Sequence, residues 1–245
     1  MTRLRLDEAL VARGFYPTRS RARDAIKRGT VTVDGQAAAK PAQPITENAV
    51  IAVADPARAY VSRAALKLKH ALDHFALSPE GLHCLDIGAS TGGFSEVLLE
   101  RGVRHVTALD VGHGQFAPEL AQDPRITLWE GVNARDLESL HLKAPPQFIV
   151  CDVSFISLKL ALPRALDLAV PGAKLVALIK PQFEVGRVAL GRDGIVKDER
   201  ALRQVCDDIA SWLKAQNWSV IGLLPSPLEG GSGNREFLIA AEKSA

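Results

Sequence analysis

The apolar residues near the N-terminus follow the spacing of two short helices. The first predicted helix carries Leu6, Ala9 and Leu10 on one face and ends near Gly14, which can adopt the left-handed conformation that often follows a helix. A second helix is predicted to begin near Ser20. Its apolar positions are Ala22, Ala25 and Ile26. Each helix therefore has one face that can be buried in a small core.

A change to alternating apolar residues follows these helices and predicts a small sheet. Residues 31–33 alternate as a strand, and the dipeptide 34–35 is Asp-Gly, which favours a tight hairpin turn. The apolar run 50–53 can close the sheet. Residues 54–57 contain a proline and read as a linker, so we expect one domain to span residues 1–58 and a second to span 59–245.

The remainder of the chain alternates between predicted strands and helices. The predicted strands are 83–87, 106–110, 148–152, 174–179 and a terminal pair near 218–224 and 236–241. The predicted helices are 94–101, 158–169 and a long amphipathic helix with Leu202, Val205, Cys206, Ile209, Trp212 and Leu213 on one stripe. This alternation predicts an α/β fold, with a mostly parallel sheet covered by helices on both faces.

Composition narrows the class of protein. With 47% hydrophobic residues the chain is globular, and neither a membrane-spanning run nor the apolar segment of a signal peptide is present, which predicts a cytoplasmic protein. Cys84, Cys151 and Cys206 are too far apart for a spaced metal cluster, so we interpret them as core residues and expect no metal.

Positive charge is concentrated in residues 1–58, where Lys and Arg outnumber Asp and Glu, whereas the remainder of the chain is slightly acidic. Arg19, Arg23 and Lys27 recur every four residues and therefore line one side of the second predicted helix. A basic ridge of this kind fits a polyanion such as RNA, although a solvated helix face has the same pattern.

The loop 88–93 follows the first buried strand of the larger domain and contains three glycines. Glycines let the backbone approach a ligand, and free amides at the next helix start can bind its polar groups. Asp110 ends the next strand, where a carboxylate can accept hydrogen bonds from ribose hydroxyls, and Asn133 follows further along. These features fit adenosylmethionine or NAD. With Asp86 in the strand, the Gly-Ala-Ser-Thr-Gly-Gly-Phe spacing resembles a methyltransferase loop.

Charged residues stand at the ends of two further predicted strands. Asp152 follows one and Lys180 the other, and a charge at the end of a buried strand is costly unless it is paired or used in chemistry. Together with Lys67 and Glu236 they give the order Lys, Asp, Lys, Glu. A structural ion network remains the alternative. Lys69 lies two residues beyond Lys67, so either lysine could belong to the set.

The N-terminal segment resembles the S4 RNA-binding domain. The matching residues are Arg5-Leu6-Asp7, Leu10, Gly14, Ser20-Arg21, Ala25, Ile26, Gly29, Val31, Val33, Asp34-Gly35 and Lys40-Pro41. The Lys, Asp, Lys, Glu order resembles the tetrad of FtsJ-type ribose 2'-O-methyltransferases. The chain as a whole resembles the TlyA family, on the motifs 60–63, 85–94, 152–158, 180–184 and 233–237.

This resemblance implies a Rossmann-like class I methyltransferase with a seven-stranded sheet, preceded by a small α+β S4 domain. It implies S-adenosyl-L-methionine as cofactor and the cytidine 2'-hydroxyl of ribosomal RNA as substrate. The expected catalytic residues are Lys67, Asp152, Lys180 and Glu236. The expected cofactor-binding residues are Asp86, Gly88, Ser90, Thr91, Gly92, Gly93, Phe94, Asp110, Val111 and Asn133. The expected RNA-binding residues are Arg5, Arg19, Arg21, Arg23, Lys27, Arg28 and Arg63.

A ribose hydroxyl is a weak acid, so the enzyme must supply a base and alignment. We expect Lys180 to be that base and Lys67 to favour its neutral amine and to orient the ribose. Asp152 would hold Lys180 and face the methyl donor, and Glu236 would complete the network. The long connection 181–198 is expected to border the RNA and to become ordered when substrate binds.

The expected partner is ribosomal RNA or a ribosomal subunit, with no membrane and with a monomer favoured. Three rival functions stay open. A non-catalytic RNA-binding factor would keep the first domain but transfer no methyl group. A hemolysin-like membrane-active protein, suggested by a name used in the family, would cause leakage of liposomes. An NAD-dependent oxidoreductase would leave the S4-like segment unexplained.

Overall fold

The computed structural model describes residues 4–185, 191, 194–231 and 233–244. The chain divides into two compact units between Ala59 and Tyr60, one residue after the boundary expected from sequence. Within the described residues, none of the helices combines the length and apolar character needed to cross a bilayer.

The first unit contains two helices and short antiparallel strands. The helices are α1 (Leu6–Ala12) and α2 (Arg19–Lys27), and the strands are β1 (Leu4–Arg5), β2 (Val31–Val33), β3 (Gln36–Ala37), β4 (Pro44–Ile45) and β5 (Ile51–Val53). β2 pairs with β3 through the predicted two-residue turn, in which both central residues have positive φ, and with β5 on its other side. The buried faces of α1 and α2 join this sheet in one core. The sequence predicted both helices and the hairpin.

The stretch 54–57 is packed against the first unit and is not a free linker. Pro56–Ala59 forms a 3-10 turn, and Ala57 is buried. The Asp55 side chain is 1% exposed and accepts hydrogen bonds from Tyr16 at 2.7 Å and from Arg28 at 2.7 Å. The expectation of a linker fails because proline ends a strand without preventing its neighbours from making side-chain contacts.

The second unit is built on a seven-stranded sheet. Its strands are β6 (His83–Ile87), β7 (His105–Asp110), β8 (Ile126–Glu130), β9 (Phe148–Cys151), β10 (Lys174–Ile179), β11 (Trp218–Pro225) and β12 (Phe237–Lys243). The order across the sheet is β11-β12-β10-β9-β6-β7-β8. The strands from β10 to β8 are parallel, and β12 is antiparallel to both its neighbours. This topology is that of a class I methyltransferase sheet, as the resemblance implied.

Helices cover both faces of this sheet. They are α3 (Ala65–His74), α4 (Gly93–Glu100), α5 (Pro118–Ala121), α6 (Leu158–Ala161), α7 (Pro163–Leu168), α8 (Pro181–Glu184) and α9 (Glu199–Ala215), with 3-10 turns at Ala134–Asp136 and Ser139–His141. Alternate residues of the central strands enter two different cores. One core includes α6, α7 and α9, and the other includes α3 and α4. The near-continuous apolar runs of the parallel strands follow from burial on both faces.

Several elements differ from the sequence prediction, and the helices Ala65–His74 and Pro118–Ala121 and the strand Pro44–Ile45 were not predicted. The predicted helix 158–169 is two short helices, because Pro163 cannot continue the hydrogen bonding of the preceding turn. The strand Ile126–Glu130 was not predicted, and all five of its residues are partly exposed, so it lacks a clear period. The connection 181–198 begins with the helix Pro181–Glu184. Because 186–190, 192 and 193 lie outside the described residues, its expected role stays a prediction.

The strand order reverses beside β6, since the chain runs from β6 to β7 and β8 on one side and returns through β9 and β10 on the other. Ligands of open α/β sheets bind at such a reversal, beyond the carboxyl ends of the strands. The loops after β6 and β9 meet there. The fold therefore places the loop that begins at Gly88 against the loop that begins at Asp152.

Candidate functional site

The turn after β6 requires glycine at its first position. Gly88 has φ +81°, and a Cβ atom there would lie 2.6 Å from the carbonyl oxygen of Asp152. The loop also depends on Asp110, whose two carboxylate oxygens accept hydrogen bonds from the backbone N–H groups of Ser90 and Gly112, each at 2.7 Å. Asp110 thus shapes the glycine loop, a role that was not expected from the sequence. Each oxygen keeps a second lone pair for a ligand.

A cavity of about 580 Å³ opens beside this loop. Of the expected cofactor residues, Gly88, Ser90, Asp110, Val111 and Asn133 line it. Other lining residues are Ile87, Leu109, Gly112, Gln115, Val132, Ala134, Asp152, Val153, Ser154, Phe155, Ile156 and Ala161. Its volume falls within the range of cavities that bind small molecules and cofactors. The sequence did not single out Gly112, Gln115 or Ser154, which carry no pattern distinguishing them from ordinary loop residues.

The other expected cofactor residues lie outside the lining of this cavity. They are Asp86, Thr91, Gly92, Gly93 and Phe94. Phe94 is 3% exposed and belongs to the core, because α4 turns its side chain toward the sheet. Gly92 precedes α4 with φ +97°, and a Cβ atom on Gly93 would lie 2.8 Å from Cβ of Ser62. These glycines permit close packing at the start of α4.

Asp86 is fully buried within β6. Its Oδ2 accepts a hydrogen bond from the Ser95 hydroxyl at 2.7 Å, and its Oδ1 has no partner among the described residues. Burial raises the pKa of Asp86 to about 7, with Asp152 contributing to the rise. Asp86 therefore links β6 to α4 through Ser95 and does not form part of the cavity wall.

Asn133 lines the cavity and begins a 3-10 turn. Its Oδ1 accepts a hydrogen bond from the backbone N–H of Arg135 at 3.0 Å. The turn thereby fixes the orientation of the amide beside the cavity. An amide has both a hydrogen-bond donor and an acceptor that suit the edge of a nucleobase, and the expected contact of Asn133 with adenine stays a prediction.

Two lysine–carboxylate pairs lie at the carboxyl edge of the sheet. Lys67 of α3 donates a hydrogen bond to Glu236 Oε2 at 2.5 Å, and both side chains are buried. Lys180 Nζ lies 2.6 Å from Asp152 Oδ1. Because Ile179 of β10 pairs with Phe237 of β12, the residues Lys180 and Glu236 stand next to each other at this edge. The structure thus brings together the four residues expected to be catalytic, as two pairs.

Lys69 takes no part in this arrangement. Its Nζ donates to Glu100 at 2.6 Å and to the Tyr60 hydroxyl at 2.6 Å, on a different side of α3. The Glu100 carboxylate holds the pKa of Lys69 above its usual value. A helix turns about 200° in two residues, so Lys67 and Lys69 point in different directions. Of the two lysines that the sequence left open, Lys67 is therefore the one that lies among the other three residues of the expected set.

The loop after β9 adds two groups that the sequence analysis left without a role. Ser154 accepts a hydrogen bond from Lys180 Nζ at 2.8 Å and lines the cavity. Phe155 is 90% exposed at the same cavity, although large apolar side chains are usually covered. Its φ is +66°, and its ring lies 5.1 Å from that of Phe183. An exposed phenylalanine in this conformation is available to contact a substrate.

Some of the expected RNA-binding residues of the first unit are exposed, and some pair with acidic side chains. Arg19, Arg23 and Lys27 are exposed along α2, opposite its buried apolar face. Arg5 and Arg19 both pair with the buried carboxylate of Asp7, which has a lowered pKa through its hydrogen bond to Arg5. The basic ridge is therefore exposed on this unit, and its first residue, Arg19, is also paired with Asp7.

The remaining expected RNA-binding residues have contacts within their own units. Arg28 pairs with Asp24 and with Asp55, at 2.7 Å for the latter, and is mostly buried. Arg21 donates to the Ala57 carbonyl at 3.2 Å. In the second unit, Arg63 donates to the Glu229 carbonyl at 3.2 Å. These contacts indicate that Arg28 in particular stabilises its unit. Within the described part of the chain, no group of His, Cys, Asp and Glu side chains could hold a metal ion.

Comparison with known proteins gives a family for each unit. The protein-family model described as FtsJ-like methyltransferase matches residues 60–243, and the family model described as S4 domain matches residues 4–51. The 16S/23S rRNA (cytidine-2'-O)-methyltransferase TlyA of Mycobacterium tuberculosis is 43% identical over 238 residues, which cover 97% of this chain and 89% of the relative. Hemolysin A of Brachyspira hyodysenteriae is 37% identical over 236 residues, covering 96% and 98%.

A solved structure of a Streptococcus thermophilus protein that carries a hemolysin name has a TM-score of 0.79 at 39% identity, covering 100% of this chain and 90% of that one. The similarity therefore extends through both units. The S4 match covers the first unit, and the methyltransferase match covers the second unit, which contains the cavity and both ion pairs. The chain belongs to the FtsJ-like methyltransferases, and within them to the TlyA family of proteins that carry an S4 domain.

Proposed function

We propose that this protein transfers the methyl group of S-adenosyl-L-methionine to the ribose 2'-hydroxyl of a cytidine in ribosomal RNA. The observation that carries the proposal is the Lys180–Asp152 pair at 2.6 Å, with Asp152 in the wall of the cavity. This arrangement sets a potential base beside a cavity of cofactor size. Ribosomal RNA and cytidine come from the name of the M. tuberculosis relative.

The residues of the cavity fit this cofactor. Asp110 and Asn133 offer hydrogen-bonding groups for the ribose and the adenine, and Gly88 and Gly112 keep the walls clear of side chains. The Asp152 carboxylate in the wall offers negative charge that suits a sulfonium. When bound, the cofactor supplies an electrophilic methyl group, so the protein has only to align the hydroxyl and remove its proton.

Lys180 is the proposed base. The proton of the 2'-hydroxyl moves to Lys180 Nζ while the oxygen–methyl bond forms and the sulfur–methyl bond breaks, which leaves adenosylhomocysteine. A lysine accepts a proton only as a neutral amine, so a proton must first leave Lys180. The Ser154 hydroxyl can accept a hydrogen bond from the Lys180 ammonium and donate one to the neutral amine. It can therefore hold Lys180 before and after the proton leaves.

Lys67 and Glu236 are proposed to fix the ribose beside Lys180. We also keep the expectation that the charge of Lys67 favours the neutral form of Lys180. Glu236 at 2.5 Å balances much of that charge, so orientation of the ribose is the larger part of the proposed role. The cavity and both pairs lie within one unit of one chain, so the proposal requires no second copy.

The first unit is proposed to bind the RNA through the exposed residues Arg19, Arg23 and Lys27. Side chains of this type contact phosphates and give affinity without reading sequence. Phe155 is proposed to stack on a nucleobase beside the cavity. A ribosomal RNA substrate implies that the protein acts in the cytoplasm, where ribosomes assemble.

Replacement of the base tests the proposal. Lys180→Ala is expected to lower methyl transfer from tritiated cofactor to ribosomal subunits by about a thousandfold, since general bases contribute about 10²–10⁴ in rate. Cofactor binding, measured by calorimetry, is expected to stay close to that of the wild type. The matched control is Lys174→Ala, because Lys174 begins the strand that Lys180 follows and pairs with Glu242.

Full activity of Lys180→Ala would remove Lys180 as the base. Absence of transfer by the wild type to any ribosomal subunit, with intact cofactor binding, would instead favour a non-catalytic RNA-binding factor. Transfer to a base rather than to a ribose would contradict the assigned reaction.

A further inference from the structure

The loop 152–157 and the segment 180–184 touch at three separate points, each of different chemistry. Lys180 contacts Asp152 and Ser154, the Phe183 ring contacts the Phe155 ring, and Glu184 contacts Ser157 and Leu158. Only the first of these points belongs to the proposed catalytic set. The other two hold together the two segments that carry the proposed base and its carboxylate partner.

Glu184 makes a two-point contact with the start of α6. Its Oε2 accepts a hydrogen bond from the Ser157 hydroxyl at 2.5 Å, and its Oε1 accepts from the backbone N–H of Leu158 at 2.8 Å. Both carboxylate oxygens are therefore used. Ser157 in turn accepts from the backbone N–H of Lys159 at 3.1 Å, so α6 begins on a side chain that Glu184 holds in place.

The loop needs such support because its backbone is strained. Phe155 has φ +66°, and a conformation of this kind costs a non-glycine residue about 1–3 kcal/mol. The strain persists only where the surroundings over-determine the conformation. The helix α8 is four residues long, too short to be stable without tertiary contacts. Each segment therefore depends on its contacts with the other.

We propose that Glu184 is a positioning residue for methyl transfer. By joining α8 to the start of α6, it fixes the loop 152–157 relative to Lys180, so that Asp152 and Ser154 meet the Lys180 amine in one geometry. The inference rests on the proposed function, in which Lys180 is the base. Glu184 itself touches neither the proposed substrate nor the cofactor.

The amide oxygen of Glu184→Gln can still accept from the Leu158 N–H, but its N–H₂ group then meets the Ser157 hydroxyl, which must turn to accept from it, so the stronger hydrogen bond to a charged carboxylate is lost. The loop is then expected to relax toward an unstrained conformation and to shift Asp152 and Ser154. A misplacement of about 1 Å can lower a rate by about a hundredfold. We expect kcat to fall between about tenfold and about a hundredfold. The KM for S-adenosyl-L-methionine and for ribosomal subunits should stay within about twofold of the wild type.

Two matched variants accompany it. Ser157→Ala removes one of the two donors to Glu184 and is expected to lower kcat less than Glu184→Gln does. Glu242→Gln also removes the charge of a paired glutamate, but that glutamate pairs with Lys174 at 2.7 Å, at the opposite end of β10. This control is expected to keep the kcat of the wild type. Thermal unfolding of all three should stay close to the wild type.

A second measurement reports on Lys180 without any methyl transfer. Limited acetylation with acetic anhydride, followed at each lysine by peptide mass spectrometry, measures how accessible and how well held each amine is. Glu184→Gln is expected to increase the modification rate of Lys180 several-fold relative to wild type, with Lys174 unchanged. Lys180 already has an exposed fraction of 11% in its side chain, so it can react slowly in the wild type.

The outcomes separate the two proposals. A fall in kcat together with faster Lys180 modification supports the positioning role. Unchanged kcat and unchanged modification would overturn it, as would a fall in kcat that is matched by a loss of thermal stability. If the wild type transfers no methyl group while Lys180 modification still responds to Glu184→Gln, Glu184 holds Lys180 in place and the proposed function has failed.

Discussion

The two lysine–carboxylate pairs at the sheet edge have the same chemistry and different surroundings. In the Lys67–Glu236 pair the side chains are 6% and 3% exposed, whereas in the Lys180–Asp152 pair they are 11% and 14% exposed. Asp152 also lines the cavity, and Lys180 has a second contact in Ser154. The difference supports the proposal that the first pair fixes geometry and the second takes part in the chemistry.

Burial also sets the energetic consequences of breaking each pair. A charge left alone in the interior costs about 3–5 kcal/mol, whereas replacing both partners by apolar residues of similar size is often neutral. A more accessible charge can recover water when its partner is removed, so it costs less. The two pairs should therefore respond differently to single and double substitutions, and that difference can be measured.

The largest expected effect is on the buried pair. Lys67→Met should lower the free energy of unfolding by about 3 kcal/mol, because it strands the Glu236 carboxylate. The double variant Lys67→Met with Glu236→Leu should recover most of that stability. Both should lose methyl transfer by about a hundredfold or more, since the group that we propose to orient the ribose is gone. Urea unfolding and transfer of tritium from labelled cofactor measure the two quantities.

Wild-type transfer by the double variant would show that this pair is a structural ion network alone, which was the alternative left open by the sequence. Equal stability of the Lys67→Met variant and the wild type would contradict the importance of burial for this pair.

The next prediction concerns stability alone and Asp86, a buried carboxylate without a lysine partner among the described residues. Its pKa is raised from 3.8 to about 7 by burial, so the folded chain binds a proton that the unfolded chain has released between these values. The contribution of Asp86 to stability is therefore present below about pH 4 and is lost as the pH rises toward 7. Over this window, Asp86→Asn should gain stability relative to the wild type, by a few kcal/mol.

Urea unfolding of both proteins without cofactor at pH 5 and pH 8 measures this change. A constant difference between Asp86→Asn and the wild type over the window would mean that Asp86 does not titrate there. Asp152→Asn should shift the window toward lower pH, because the charge of Asp152 is one cause of the raised pKa.

The smallest expected effect is at Lys69, which forms its own pair with Glu100 at 2.6 Å, with side chains 27% and 43% exposed. Lys69→Met should change the free energy of unfolding by about 1 kcal/mol or less, as partly exposed pairs contribute little. Methyl transfer should stay within about twofold of the wild type. A large loss of transfer, with stability intact, would return Lys69 to the catalytic set in place of Lys67.

Much of the fold was predictable from the sequence. The parallel strands are apolar runs because both faces are buried, and α9 has a clear apolar stripe, so both were found from periodicity. The strand Ile126–Glu130 lies at the edge of the sheet and is half exposed, so its pattern carries little signal. The break at Pro163 and the packing of 54–57 depend on tertiary contacts that no local pattern records.

The sequence was a better guide to which residues belong to the candidate site than to the contacts that those residues make. The order Lys67, Asp152, Lys180, Glu236 and the glycine loop pointed to one edge of the sheet, and the structure brings these residues together there because strand ends meet at that edge. Which lysine pairs with which carboxylate depends on the register of β10 and β12, and this cannot be read from spacing. The contacts of Asp110 with the glycine loop and of Glu184 with the start of α6 also arise only when distant segments are brought together.

The central claim is that Lys180 removes a proton from the 2'-hydroxyl of a cytidine in ribosomal RNA. The most direct test incubates wild type and Lys180→Ala with labelled S-adenosyl-L-methionine and with ribosomal subunits from a strain that lacks this protein, and then maps the label by nucleoside mass spectrometry. The account predicts 2'-O-methylcytidine with the wild type, about a thousandfold less with Lys180→Ala, and equal cofactor binding by both. A methyl group on a base, or equal rates for the two proteins, would contradict it.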